Sequence, residues 1–187
     1  MPSARVKIVK HSGIKAPQFF AFLREWERRG ERMVPFAIER KGRSFREMAA
    51  QWAFDETEAV RKKGFVPATL YFLVGGGGRV IGVLHFRHEL NAKLRRHGGH
   101  IGYGIRPSER GKGYASQMLR MFLNRPRVRK WGQVLITCDD DNIPSYRTIE
   151  RCGGRLWDKV RMEGRLARRY WVATGKYRAG RAAKDGE

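Results

Sequence analysis

A strand that stops at a proline and reopens as a helix through a glycine-spaced basic turn constrains this chain more than any other feature. The stretch GGHIGYGIRPSERGKGYA spans residues 98–115. His100 to Ile105 reads as a strand, Pro107 stops it, and Arg110-Gly111-Lys112-Gly113 opens a helix whose apolar face is Ala115, Met118, Leu119 and Phe122. The first N–H groups of a helix have no intrahelical partner and carry partial positive charge, so an anion docks there when no side chain blocks it. Gly111 and Gly113 clear that approach, and Arg110 and Lys112 add charge.

The other elements arrange themselves around this junction. Arg5 to Lys10 alternates as a short strand. Pro17 starts a helix with Phe19, Phe22, Leu23 and Trp26 on one face, ending by Gly30. Ser44 and Glu47 form a capping box before a second helix carrying Phe45, Met48, Ala49 and Trp52. Thr69–Val74 and Arg79–Phe86 are β-prone runs joined by four glycines, and residues 88–96 read as an irregular or short helical lid. After the junction helix, closed by Asn124 to Pro126, Gln133–Thr137 is a buried strand. Asn142 or Ile143 then caps a helix that Gly153-Gly154 ends. Leu156–Met162 and Leu166–Val172 form a hairpin about Glu163-Gly164. The expected architecture is an α/β or α+β sheet carrying four helices, in one domain over residues 1–172, with a disordered polar tail at 173–187.

The charge narrows the partners. Forty Lys and Arg against 18 Asp and Glu give +22, a field that favours anionic partners. Because the basic residues are spread along the chain and form no single arm, a phosphate-bearing cofactor or acidic substrate is favoured over dedicated nucleic-acid binding. No apolar run approaches a membrane span and no apolar signal segment follows the first charges, so a cytoplasmic protein is expected. Cys138 and Cys152 have no metal-ligand spacing and read as buried free thiols, and no metal is expected.

The junction and the second strand-Asn-helix-Gly-Gly unit, VLITCDDDNIPSYRTIERCGG, together resemble the GCN5-related N-acetyltransferase (GNAT) family. They are most similar to a bacterial branch of predicted acetyltransferases. Arg110, Gly113 and Ala115 meet the family's Q/R-x-x-G-x-G/A signature, and the similarity runs from about Arg5 to Val172. The resemblance implies a mixed, mostly antiparallel sheet of about six to seven strands, splayed between the fourth and fifth. It implies acetyl-CoA as cosubstrate, with pyrophosphate on the N–H groups of Arg110, Gly111, Lys112, Gly113, Tyr114 and Ala115. The pantetheine arm would pair near Gly104, Ile105 and Arg106, with Asn142 and Ser145 as further contacts.

Direct acetylation of an amine needs a base, a polarised carbonyl and a proton for the leaving thiolate. An N–H near Ile105 can polarise the carbonyl. His100 stands where several members carry a glutamate base, and its intrinsic pKa suits that task. Glu89 is the second candidate. Many members place a tyrosine seven residues after the helix asparagine. Here that position is Ile149, and Tyr146, about one turn earlier, is the candidate proton donor, with Ser145, a water or unaided release of the thiolate as alternatives. The expected activity is acetyl transfer to a primary amine of a small molecule, amino acid or peptide, by a monomer or homodimer. An RNA-directed acetyltransferase acting on aminoacyl-tRNA and a non-catalytic CoA-binding module are the alternatives.

Overall fold

The runs at residues 68–74, 80–86 and 134–138 are largely buried on both faces because helices cover both sides of the sheet they enter. The computed structural model describes residues 6–162 and 164–176. Its strands are β1 (Lys7–Lys10), β2 (Ala68–Val74), β3 (Val80–Arg87), β4 (Ile101–Ile105), β5 (Gln133–Asp139), β6 (Gly154–Met162) and β7 (Arg165–Ala173). They form one mixed sheet in the order β1-β2-β3-β4-β5-β7-β6, antiparallel except for β4 and β5. The helices are α1 (Ala16–Arg29), α2 (Phe45–Phe54), α3 (Ala92–Arg96), α4 (Tyr114–Leu123), α5 (Pro126–Arg129) and α6 (Ile143–Arg151).

Local chemistry accounts for the helix ends. Ser44 accepts from the Glu47 N–H at 3.3 Å while Glu47 accepts from the Ser44 N–H at 2.7 Å, the reciprocal cap its sequence requires. Gly30 closes α1 in a left-handed conformation, φ 61°. Pro126 was read as a stop, but it also begins α5, because a missing N–H does no harm in a first turn. The predicted lid contains α3, whose Asn91 cap accepts from the Leu94 N–H at 2.9 Å. The predicted disordered tail, apart from residues 173–176, and Glu163 of the hairpin turn lie outside the described residues. Among the described residues no helix is long and apolar enough to cross a membrane.

Two apolar cores result. On one face α4 and α6 bring Met118, Leu119, Phe122 and Ile149 against Ile101, Ile105 and Ile136. On the other, Phe19, Phe22 and Trp26 of α1 and Met48 and Trp52 of α2 pack on Leu70, Phe72 and Val83. Each such fully buried side chain contributes about 1.5–3 kcal/mol. Arg106, just beyond β4, ties α1 to the sheet. Its guanidinium bonds the Glu25 carboxylate at 2.6 Å and the carbonyls of Val80 and Ala21 at 3.1 and 3.0 Å. β6, the outer strand, is bulged between Leu156 and Asp158.

Gly104 faces the α1 core, where a Cβ would lie 2.1 Å from the Val34 carbonyl oxygen and 3.2 Å from the Trp26 ring. The small residue therefore admits the protein's own 33–35 segment against β4. Gly104→Ala is expected to destabilise the fold by about 1–3 kcal/mol, since the obstructing atom is backbone, read as a lower urea midpoint with unchanged slope.

Candidate active site

β4 and β5 run parallel but pair only at Ile101↔Ile136. Around this pair the strands are fastened by side chains as well as backbone. The His100 N–H donates to the Leu135 carbonyl at 2.7 Å, the Leu135 N–H donates to His100 Nδ1 at 2.9 Å, and the Gly98 N–H donates to Thr137 Oγ1 at 2.8 Å. Toward Ile105 and Asp139 the pairing ceases and the strands diverge.

The β3–β4 register shows which backbone groups face the opening. Arg87 N–H donates to the His100 carbonyl, and Arg106 N–H to the Ile81 carbonyl, at the two ends of the ladder. Gly102 and Gly104 therefore turn their backbone toward β3, and alternation turns that of Tyr103 and Ile105 toward the gap. Of the three backbone contacts expected from the sequence, Ile105 faces the gap, while Gly104 and Arg106 are engaged with β3. Tyr103, unanticipated, presents the second gap-facing N–H.

The glycine turn follows directly. Gly111 and Gly113 have φ of 76° and 80°, and a Cβ on either meets nothing within 4 Å. Glycine is needed there for conformation, not for lack of room. Gly113 caps α4 without a side-chain bond. None of the N–H groups from Gly111 to Ser116 meets an acceptor among the described residues. The half-buried Tyr114 and Ala115 form the first turn. The basic side chains are engaged elsewhere. Arg110 stacks 4.7 Å over Trp26, donates to the Ile105 carbonyl at 3.2 Å and pairs with Glu31 at 2.6 Å, and Lys112 pairs with Glu109 at 2.9 Å. What this helix start offers an anion is thus backbone N–H groups, not free side-chain charge.

Across the gap, Asn142 caps α6 by accepting from the Ser145 N–H at 3.2 Å. The Tyr103 hydroxyl reaches this helix start from β4, 3.2 Å from the Ser145 carbonyl and 3.1 Å from Ser145 Oγ. Burial first of all holds the Tyr103 pKa above the ordinary phenol value. Tyr146 lies under the Arg168 guanidinium at 4.0 Å, and Ile149 is buried in the core. Burial pushes the Cys138 thiol up to about 11, so it stays protonated. The sequence signal for Tyr103 was its alternation with Gly102 and Gly104, which turns it toward the helices.

His100 is 7% exposed, its ring edge-on to Trp131 at 5.2 Å. With Nδ1 accepting from Leu135, the neutral ring carries its proton on Nε2. Burial, then Arg95, lowers its pKa to about 4. Glu89 is half exposed beyond β3 and is paired with Arg61, which also binds Glu58. His100 and Glu89 are therefore not brought together. His85 and Arg87 of β3 were also missed, although two polar residues at i and i+2 in an apolar strand mark one shared face.

A diverging parallel pair beside an open helix start defines an acyltransferase fold of the GNAT type. Residues 5–155 match the family model described as Acetyltransferase (GNAT) domain, and the chain belongs to that family, whose members use acetyl-CoA. Among solved structures it is similar to the ribosomal-protein-S5-alanine acetyltransferase of Vibrio fischeri, with 12% identity over 92% of this chain and 94% of that one, TM-score 0.63. A GNAT acetyltransferase of Bacillus anthracis is 17% identical over 91% and 96%, TM-score 0.63. Mutant forms of the spermidine/spermine N-acetyltransferase of Vibrio cholerae are 13% identical over 92% and 97%, TM-score 0.59. No curated protein matches the chain in sequence.

The depressed His100 pKa predicts a sign. The unfolded chain takes up this proton near pH 6.5 and the folded chain only near 4, so the stability from the neutral ring is full above 6.5 and is lost as pH falls toward 4. The difference is on the order of 3 kcal/mol. Urea titrations from pH 4 to 7.5 should show a shallower acid loss in His100→Asn than in the wild type, the gap closing toward low pH.

Proposed function

We propose that this protein is an acetyl-CoA-dependent N-acetyltransferase acting on a primary amine by direct attack. The observation that carries the reading is the pairing of an open strand edge, Tyr103 and Ile105, with the unpartnered N–H groups at the start of α4. These residues fit the cosubstrate. The helix start takes a pyrophosphate, the open space at Gly111 and Gly113 lets it approach, and the β4 edge offers hydrogen bonds to a pantetheine amide. Asn142 and Ser145 border the same opening from α6.

Acetyl-CoA supplies the acyl group: a C–N bond forms, the thioester C–S bond breaks, the amine loses a proton and the sulfur gains one. The Ile105 N–H polarises the thioester carbonyl, a role worth about 10²–10³ in kcat for one such donor. The one lone pair of the neutral His100 ring is held by the Leu135 N–H and its low pKa makes it a weak base near neutrality, while Glu89 is engaged by Arg61, so either accepts a proton only by giving up that bond. On the helix side two phenols, Tyr103 and Tyr146, flank the α6 start. Burial holds Tyr103 protonated, so its hydroxyl steadies the departing thiolate by a hydrogen bond while the proton lost by the amine balances the one the sulfur gains, with Tyr146 the second donor.

Acetyl-CoA at 100-fold over its Kd is expected to stabilise the protein by about 2.7 kcal/mol, read as a rise in Tm. No shift at millimolar concentration defeats the reading. Tyr103→Phe should lower kcat about tenfold, with the KM for acetyl-CoA nearly unchanged, in a thiol-release assay. The same assay on Tyr146→Phe ranks the two phenols, and an unchanged kcat in Tyr103→Phe removes it as donor.

A further inference from the structure

Among the described residues, three arginines drawn into the folded body have an acidic partner. Arg106 binds Glu25 at 2.6 Å, Arg168 binds Asp140 at 2.5 Å, and Arg169 binds Asp158. Arg87, half-buried at the end of β3, has no carboxylate among the described residues. Its Nη1 donates to the carbonyls of Gly98 and Gly99 at 3.0 and 3.1 Å, which leaves the Nη2 and Nε donors without an acceptor among the described residues. A guanidinium taken out of water without a counter-charge is costly. In keeping with this, burial lowers the Arg87 pKa to about 10.

The surroundings point these free donors at an open place beside the reacting strand. His85 and Arg87 share the α1 face of β3, and His85 is in register with Gly102 of β4. A Cβ on Gly102 would sit 3.6 Å from Pro35, 3.8 Å from Arg87 Nη2 and 3.9 Å from Nη1, so the missing side chain bares the guanidinium. His85 is 8% exposed and its Nδ1 has no hydrogen-bond partner. One residue further along β4, the Tyr103 N–H faces the gap. A molecule bound over Gly102 thus approaches the acyl group from the face opposite α4 and α6.

We propose that Arg87 and His85 form a carboxylate subsite, so that the amine acetylated belongs to a free amino acid. This rests on the acetyltransferase reading and names its acceptor class. The Arg87 fork takes the carboxylate, and the unpartnered His85 nitrogen supplies a further hydrogen bond, to carboxylate or ammonium according to its tautomer. The amine next to the carboxylate then lies over Gly102, beside the gap-facing Tyr103 N–H. The +22 net charge disfavours a polycation as acceptor.

The test uses the standard L-amino acids, each with its methyl ester and its decarboxylated amine, in a thiol-release assay with acetyl-CoA and in calorimetric titrations without it. At least one free acid should exceed its ester in kcat/KM by on the order of 100-fold or more, because an unfilled buried guanidinium rejects the analogue. Arg87→Gln should raise the KM for that acid at least tenfold while kcat changes little. Because Arg87 also holds the Gly98–Gly99 turn, Gly102→Ala serves as the second variant. Its methyl makes only ordinary contacts, so Tm should hold while acid binding weakens. Turnover of esters or decarboxylated amines as efficient as that of the acids overturns the subsite and leaves the acetyltransferase reading standing. If no amine of any class releases CoA, that reading fails and calorimetry alone decides the subsite. Acid binding that Gly102→Ala abolishes supports it, and the absence of acid binding overturns it.

Discussion

The structure depends on how two parallel strands are joined at one end and parted at the other. A single backbone pair, Ile101↔Ile136, would be a weak fastening, and the ladder does not supply more. The His100 ring closes the deficit by accepting the Leu135 N–H while the His100 backbone N–H donates to the Leu135 carbonyl, and Thr137 anchors the preceding turn. Gly99 belongs to the same fastening, since a Cβ there would stand 2.4 Å from the Leu135 oxygen. With that end held, β4 and β5 part without the sheet coming undone, because β3 supports one strand along its length and β7 the other.

The opening places two unlike environments on either side of one strand. Odd-numbered residues of β4 face α4 and α6, where Tyr103 crosses to Ser145 beside helix starts suited to an anion. Even-numbered residues are glycines and face α1, with the 33–35 segment over Gly104 and the Arg87 guanidinium beside Gly102. The period-two geometry of a strand thereby separates the two environments by the distance of one peptide.

The amphipathic and glycine-marked elements were legible because their causes are local. The α1 stripe, the Ser44 cap, the glycine turn and the proline-led α6 each follow from residues within one or two turns. The apolar strands were legible too, though not their neighbours in the sheet. What the chain order concealed was pairing across distance. Arg110 and Lys112 read as charges for the anion, and in the fold they are held by Glu31 and Glu109. His100 read as a base from its intrinsic pKa, and burial moves that value well down. Tyr103 and Arg87 could be placed on faces by alternation, but only the tertiary fold shows that one reaches Ser145 and the other has no carboxylate among the described residues.

The outermost strands have their own consequence. A sheet that remains open offers two unpaired ladders to any passing strand, and both are guarded here. β1 is only four residues long and bears Lys7 and Lys10, while β6 carries Arg155, Asp158, Lys159 and Arg161 and is bent by its bulge near Trp157. A foreign strand adding at either margin must bring its own counter-charges and match a broken register. The same abundance of Lys and Arg that shapes the field around the cleft thus also opposes runaway strand addition, so that divergence within the sheet does not become fusion between sheets.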